Sequence, residues 1–185
     1  MKLSKYQKRV GIAQQRKHVV ILWNIFGEPL IKSFIPGSKL RIFLLRLFGA
    51  KIGEGVVIKP RVQIKYPWKL KIGDNSWVGE NVWIDNLVDV TIDHDVCVSQ
   101  GVYLCTGSHN WSSITFDLIT QPIVIEAHTW ICAKAVIGPG SVLGQGSVVG
   151  MGCVFSGTLE PWHIVSVPPD RKYFLKKREF LQSCI

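Results

Sequence analysis

No CxxC pair occurs in this chain, and its cysteines, Cys97, Cys105, Cys132, Cys153 and Cys184, are odd in number and irregularly spaced. That pattern excludes a disulfide framework or a cysteine-built zinc site. Cys97, Cys132 and Cys153 are expected instead as small core residues. Long apolar runs are missing too. The greasiest stretch, residues 19–26, is followed by Glu28 and Lys32, whereas a bilayer-spanning helix needs about 20 apolar residues. The start, MKLSKYQKRVGIAQQRKH, has no apolar segment beside its charges and does not read as a secretory signal. A cytoplasmic protein is expected. Acidic residues are scarce as well, 13 Asp and Glu against 22 Lys and Arg for a net charge of +9, with the excess in residues 1–16 and 171–178. Those basic runs lack the interleaved aromatics of a nucleic-acid module, so no nucleic-acid partner is expected. Anionic phosphates, of a cofactor or of membrane lipid, fit the charge better.

What the chain does have is a six-residue repeat. Aliphatic residues recur as Ile52, Ile58, Ile64, then Ile72, Val78, Ile84, then Ile92, Val98, Leu104, then Ile125, Ile131, Ile137, and last Leu143, Val149 and Phe155. Small or β-branched residues precede them by two, as at Val56, Ser76, Val96, Thr129 and Cys153. A helix would need apolar spacings of three and four, which this stretch lacks. The pattern specifies an all-β solenoid, a triangular parallel β-helix in which each hexad supplies one side and one corner and each aliphatic residue stacks on its equivalent in the next coil.

Residues 1–48 do not follow the hexad. Apolar residues at spacings of three and four over 5–26 and 39–48, separated by Pro36-Gly37-Ser38, predict two short helices. They would form a cap, because an uncovered β-helix end is an open edge. Their basic amphipathic character also suits peripheral contact with anionic lipid. After Ser156 the hexad decays, and the basic run 171–178 predicts a closing C-terminal helix. The organisation expected is a helical cap over 1–48, the β-helix over 49–160 and a tail with its helix over 161–185. Trp68, Trp77 and Trp83 are expected to pack against the cap or a neighbouring subunit.

One interruption breaks the count. Leu104 and Ile125 are twenty-one residues apart where stacking allows six, so a loop over 105–122 must leave the coil. In solenoids, insertions collect on the binding face. This loop holds His109 between Gly107-Ser108 and Asn110-Trp111. It has no packing reason to be histidine there, and a neutral imidazole is a base near physiological pH. His94 and His128 fall at corners. Asp85, Asn86 and Asp93 are corner residues of adjacent coils, ordinarily turn formers. A zinc site between subunits would need a second loop histidine, and Ile114 stands where it would be sought, so no metal is expected.

The hexads, the loop histidine and Trp130-Ile131-Cys132-Ala133-Lys134-Ala135-Val136-Ile137-Gly138-Pro139-Gly140 resemble the left-handed β-helix, or hexapeptide-repeat, acyltransferases. Residues 45–53, LRLFGAKIG, with Tyr66-Pro67-Trp68, Leu104-Cys105-Thr106-Gly107-Ser108-His109-Asn110 and Phe116-Asp117-Leu118, are similar to the colanic acid biosynthesis acetyltransferase group. The resemblance implies a left-handed coil and an acetyl-CoA-dependent O-acetyltransferase acting on a sugar hydroxyl in polysaccharide biosynthesis, as a homotrimer with active sites between subunits. It implies His109 as general base, with Asp85, Asn86, Asp93 and Trp111 on the acceptor side and Cys105 structural. It places coenzyme A along the last coils at Ala133, Lys134, Met151 and Ser156, with its phosphates at Arg171 and Lys172. The chain departs from the family in having Val167-Pro168-Pro169-Asp170 where Gly-Asn-Pro-Ala is usual, and Met151 at a commonly small position. These departures bear on coenzyme A affinity rather than on the chemistry. Two other readings stand beside this one: a non-catalytic scaffold of a glycan-assembly complex, and transfer to an amino sugar or a small amino-acid acceptor.

Overall fold

The computed structural model describes residues 3–6 and 13–167 in full and residues 174–177 for their backbone. The core is a left-handed parallel β-helix of about six turns. The first coil comprises β1 (Lys51–Ile52), β2 (Val57–Ile58) and β3 (Gln63–Ile64), and the second β4 (Leu70–Ile72), β5 (Trp77–Val78) and β6 (Trp83–Asp85). The third holds β7 (Val90–Ile92), β8 (Cys97–Val98) and β9 (Tyr103–Cys105). Here the chain leaves in an antiparallel hairpin, β10 (Gly107–His109) with β11 (Leu118–Thr120), and returns. The fourth coil is β12 (Ile123–Ile125), β13 (Trp130–Ile131) and β14 (Val136–Ile137), and the fifth β15 (Val142–Leu143), β16 (Val148–Val149) and β17 (Val154–Phe155). Stacking continues through β18 (Thr158–Leu159) and β19 (His163–Ser166), past the boundary at 160 that the hexads mark.

Three faces result. We call them face A (β1-β4-β7-β12-β15-β18), face B (β2-β5-β8-β13-β16-β19) and face C (β3-β6-β9-β14-β17). The hexad residues form one inward column per face. Ile52, Ile72, Ile92, Ile125 and Leu143 line A, Ile58, Val78, Val98, Ile131 and Val149 line B, and Ile64, Ile84, Leu104 and Ile137 line C, all buried. The residues two positions earlier turn the corners from inside, and Val56, Ser76, Val96, Thr129 and Cys153 are buried as well. Cys97 and Cys132 are only half-buried, because each adjoins an inward residue and faces outward.

The helical cap spans α1 (Lys17–Leu22), a π-helical turn (Trp23–Gly27), α2 (Glu28–Lys32) and α3 (Lys39–Leu47). The first helical run therefore covers 17–32, not 5–26. Gly27 is needed because the Trp23 ring occupies the place of any side chain there. Pro29 follows the π-helical turn within the same run, and its ring nitrogen has no N–H to give to the preceding turn. The cap closes all three open edges of the first coil with side chains. Arg46 donates to Ile52 O of β1 (2.8 Å), Ser38 Oγ accepts from Ile58 N and donates to Ile58 O of β2 (3.0 and 3.1 Å), and Trp23 Nε1 donates to Ile64 O of β3 (3.2 Å). At the other end Phe174–Lys177 form β20, antiparallel to β19, where the sequence predicts a helix. The reason is the same edge: β19 is the last strand of face B, and a paired strand satisfies its backbone groups. Among the described residues no helix is long and apolar enough to cross a membrane.

Candidate functional site

The corner between faces C and A carries the arm. Coil spacing is twenty residues in the first coils (Ile52, Ile72, Ile92), and the surplus enlarges this corner into Tyr66-Pro67-Trp68 and then Asn86-Leu87-Val88. Asp85 ends β6 beside Cys105 of β9. Its carboxylate pairs with Lys65 Nζ at 2.9 Å and accepts from Tyr103 Oη at 3.3 Å. Its carbonyl accepts from Thr106 Oγ1 at 2.9 Å, which pins the root of the arm to the coil below. Burial is the main cause of the raised pKa of Tyr103, with its hydrogen bond to Cys105 and the charges of Cys105 and Asp85 adding to it, so its hydroxyl stays a donor.

The arm sets the chemistry of His109. Its Nδ1 lies 2.8 Å from Phe116 O. A carbonyl only accepts, so the neutral ring carries its proton on Nδ1 and keeps the Nε2 lone pair free. Phe116 also stacks on the imidazole, with centroids 4.2 Å apart and planes within 1°. Tyr6 meets the same ring edge-on at 5.6 Å. Phe116 has φ +52, a left-handed conformation uncommon for a bulky residue. It is held by Phe116 N donating to Ser113 O (3.3 Å) and by Asp117 accepting from Ser113 and Thr115 hydroxyls (3.1 and 2.6 Å). Phe116 thus positions the imidazole. Phe116→Ala is expected to free the imidazole from this plane, so that any reaction in which the ring takes part slows about tenfold to a hundredfold, the cost of a misplaced reacting group, with little change in KM. Steady-state kinetics checks the split.

The residues singled out from sequence divide among three corners. Asp85 and His109 share the C–A corner, with Trp111 exposed at the arm's tip and Ser156 two coils above the arm's root, its Oγ filling the space over Gly138. Asn86 also lies there but is fully buried. Its amide accepts from Tyr66 N (3.0 Å) and donates to Tyr66 O (2.7 Å), so it braces the enlarged corner and offers nothing to a ligand. Asp93 sits at the A–B corner, the far end of β7, where its carboxylate accepts from His94 N (2.7 Å). Ala133, Lys134 and Met151 follow β13 and β16 at the B–C corner. Lys134 takes φ +60, Met151 is exposed, and nothing lies within 4 Å of a side chain built on Gly152. Among the described residues, backbone is therefore accessible along this corner. Arg171 and Lys172 lie outside the described residues. Tyr6 and Phe116 have no role in the sequence reading. Nothing in a residue's type announces a carbonyl acceptor, and Tyr6 is brought to the arm only by the fold.

A different grouping occupies the A–B corner. His94, Asp95 and His128 each bring a ligand-capable atom within 4.8 Å of the others, all exposed. His94 Nδ1 donates to Asp95 Oδ2 at 2.8 Å, and that hydrogen bond, with Asp93 and Asp74 nearby, raises the His94 pKa. Because the folded value is raised, the contribution to stability is present below the unfolded pKa and fades as pH rises through the folded one. Asp95→Asn is expected to bring the His94 titration down, read by NMR of its ring protons.

No family model matches the chain. Over 100 residues it is 50% identical to WcaF of Escherichia coli K12, a candidate colanic acid biosynthesis acetyltransferase by name, the match covering 54% of this chain and 55% of that protein. This chain is similar to WcaF over about half of its length. The match thus spans about half the length of that relative. Solved structures extend the likeness in fold to nearly all of the chain. A hexapeptide-repeat acetyltransferase of Vibrio cholerae O1 biovar eltor, in complex with acetyl coenzyme A, superposes with a TM-score of 0.73 at 21% identity over 92% of this chain and 88% of that one. A maltose O-acetyltransferase of Clostridium difficile 630 gives 0.76 at 17% identity over 94% and 90%.

Proposed function

We propose that the chain transfers the acetyl group of acetyl-CoA to a sugar hydroxyl during assembly of a colanic-acid-like polysaccharide, as a cytoplasmic homotrimer. The observation that carries this reading is the His109 imidazole, held through Nδ1 by Phe116 O with Nε2 free, on an arm leaving a hexapeptide-repeat coil. Half-identity to WcaF over the matched residues supports the substrate class.

In this mechanism Nε2 of His109 accepts the proton of the acceptor hydroxyl as its oxygen attacks the thioester carbonyl. The tetrahedral intermediate collapses with loss of the coenzyme A thiolate, and the imidazolium returns its proton to sulfur. Oxygen gains the acyl group and sulfur the proton, with no covalent enzyme intermediate. Cys105, whose thiol is 3.1 Å from Gly107 O, stays structural at the arm's root.

The placement of the parts supports oligomerisation. His109 is at the C–A corner, whereas Ala133, Lys134 and Met151 are at the B–C corner across face C. A neighbouring copy would set one chain's arm against another's B–C corner. Trp77 and Trp130, exposed on face B on either side of Cys97, are the kind of aromatic surface that packing of copies covers. Trp68 needs no partner subunit, since its indole donates to Ala13 O (2.6 Å) and stacks on Tyr66.

The test is acetyl-CoA turnover by thiol release against sugars, nucleotide sugars and lipid-linked glycans. Turnover with one class supports the reading and names the acceptor. Absence of both turnover and coenzyme A binding would favour the scaffold.

A further inference from the structure

The cap leaves its outer surface apolar. On the first helical run the inward stripe is Trp23, Gly27 and Ile31, and beside it Ile21, Leu22, Ile25, Phe26 and Leu30 recur every four residues and are all exposed. The π-helical turn, with more than four residues per turn, keeps that stripe aligned. On α3 the buried positions are Arg41 and Leu45, and Leu40, Phe43 and Leu47 are exposed. Between the helices Phe34 and Ile35 also face out, Phe34 at 73% exposure.

That surface is rigidly presented. The segment carrying Phe34 and Ile35 is fastened by the buried Arg41 guanidinium, which donates to Ile31 O, Ser33 O, Ile35 O and Gly37 O at 3.1, 2.7, 2.7 and 2.6 Å. A buried cation satisfied by four carbonyls is a costly device for an idle loop. Charge accompanies the apolar groups. Residues 1–48 hold ten Lys and Arg against one Glu, and among the described ones Lys5, Arg16, Lys17 and Lys39 are exposed. The one acid, Glu28, is paired with Lys32 at 2.9 Å. Arg61 lies over the Phe34 ring at 4.5 Å.

We propose that this cap face docks on an anionic lipid surface, its exposed leucines, isoleucines and phenylalanines entering the headgroup boundary and its lysines and arginines meeting lipid phosphate. An apolar helical face ringed by cations is what interfacial helices use, and juxtaposed basic residues add attraction to anionic leaflets. Exposed cations beside exposed apolar side chains give this face the complementarity that an anionic leaflet needs. A second copy is the less suited occupant, because the faces that pack side by side in a solenoid oligomer run along the coil and the cap closes its end. The inference deepens the proposed function by placing a glycan acetyltransferase where lipid-linked acceptors are found, but it stands on the cap alone.

Flotation of the full chain with vesicles of equal parts phosphatidylcholine and phosphatidylglycerol tests it. Binding is expected to those vesicles, to weaken with salt and to be nearly lost on phosphatidylcholine alone. The double variant Phe26→Ser/Phe43→Ser, at two exposed positions, is expected to bind at least about tenfold more weakly, because it removes two apolar groups that enter the headgroup boundary. Circular dichroism and sedimentation should show the same fold and mass as wild type. His109→Ala should bind vesicles like wild type, which separates docking from catalysis. Equal binding by wild type and the double variant, no binding by wild type, or a change of oligomeric mass in the double variant would each overturn the proposal, the last by making this face a contact between copies.

Discussion

His109→Ala is expected to lower acetyl transfer at least about a hundredfold, the usual worth of a positioned general base, while leaving acetyl-CoA binding within a few-fold of wild type. The direction follows from geometry. The Phe116 carbonyl fixes the tautomer and the Phe116 ring fixes the plane, which leaves Nε2 as the ring atom with a lone pair to take a proton. His109→Gln should not rescue, because an amide can replace the Nδ1 donor toward Phe116 O but has no basic nitrogen. Thiol release measures turnover, and equilibrium binding of coenzyme A shows whether the site survives. Unchanged turnover in the alanine variant would remove the catalytic assignment while leaving the fold in place.

How much of this was readable in advance depends on range. The hexads identified every inward residue of the columns up to Ile137, because in a parallel coil one residue in six must face the axis whatever its neighbours are. The arm was located by arithmetic, since Leu104 and Ile125 sit too far apart for adjacent coils. Its form was hidden. The strands Gly107–His109 and Leu118–Thr120 are three residues each, too short to show alternation. The grip on His109 uses a backbone carbonyl, which every residue has. Asn86 was misplaced for a related reason: an amide side chain at a corner looks the same in sequence whether it faces solvent or braces Tyr66. The apolar spacing over 5–26 does not show that the cap helix runs on to Lys32, and the terminal strand is not legible because pairing with His163–Ser166 is decided by an open edge rather than by local propensity. The strings that carry the family resemblance lie around the arm and the first coil, within the β-helix whose fold the solved structures share.

Trp23→Ala is expected to destabilise the chain by about 3–5 kcal/mol, the range for deleting a buried large aromatic. Trp23 is fully buried, packs edge-on against Phe48 at 5.1 Å and covers the open end of the first coil. The loss combines a cavity under the cap with an unpaired Ile64 carbonyl on the exposed edge of face C. Trp23→Phe separates the two, because it keeps most of the volume and removes only the indole donor, for an expected cost of about 1–2 kcal/mol. Denaturant unfolding followed by circular dichroism checks both values. A solenoid's end coil has one neighbour where inner coils have two, so the alanine variant should fray from the first coil, with hydrogen exchange accelerating at Ile58 and Ile64 before Ile92 and Ile125. If protection falls evenly along the coil instead, the cap stabilises the solenoid as one cooperative unit and its closure of three edges is not a local device.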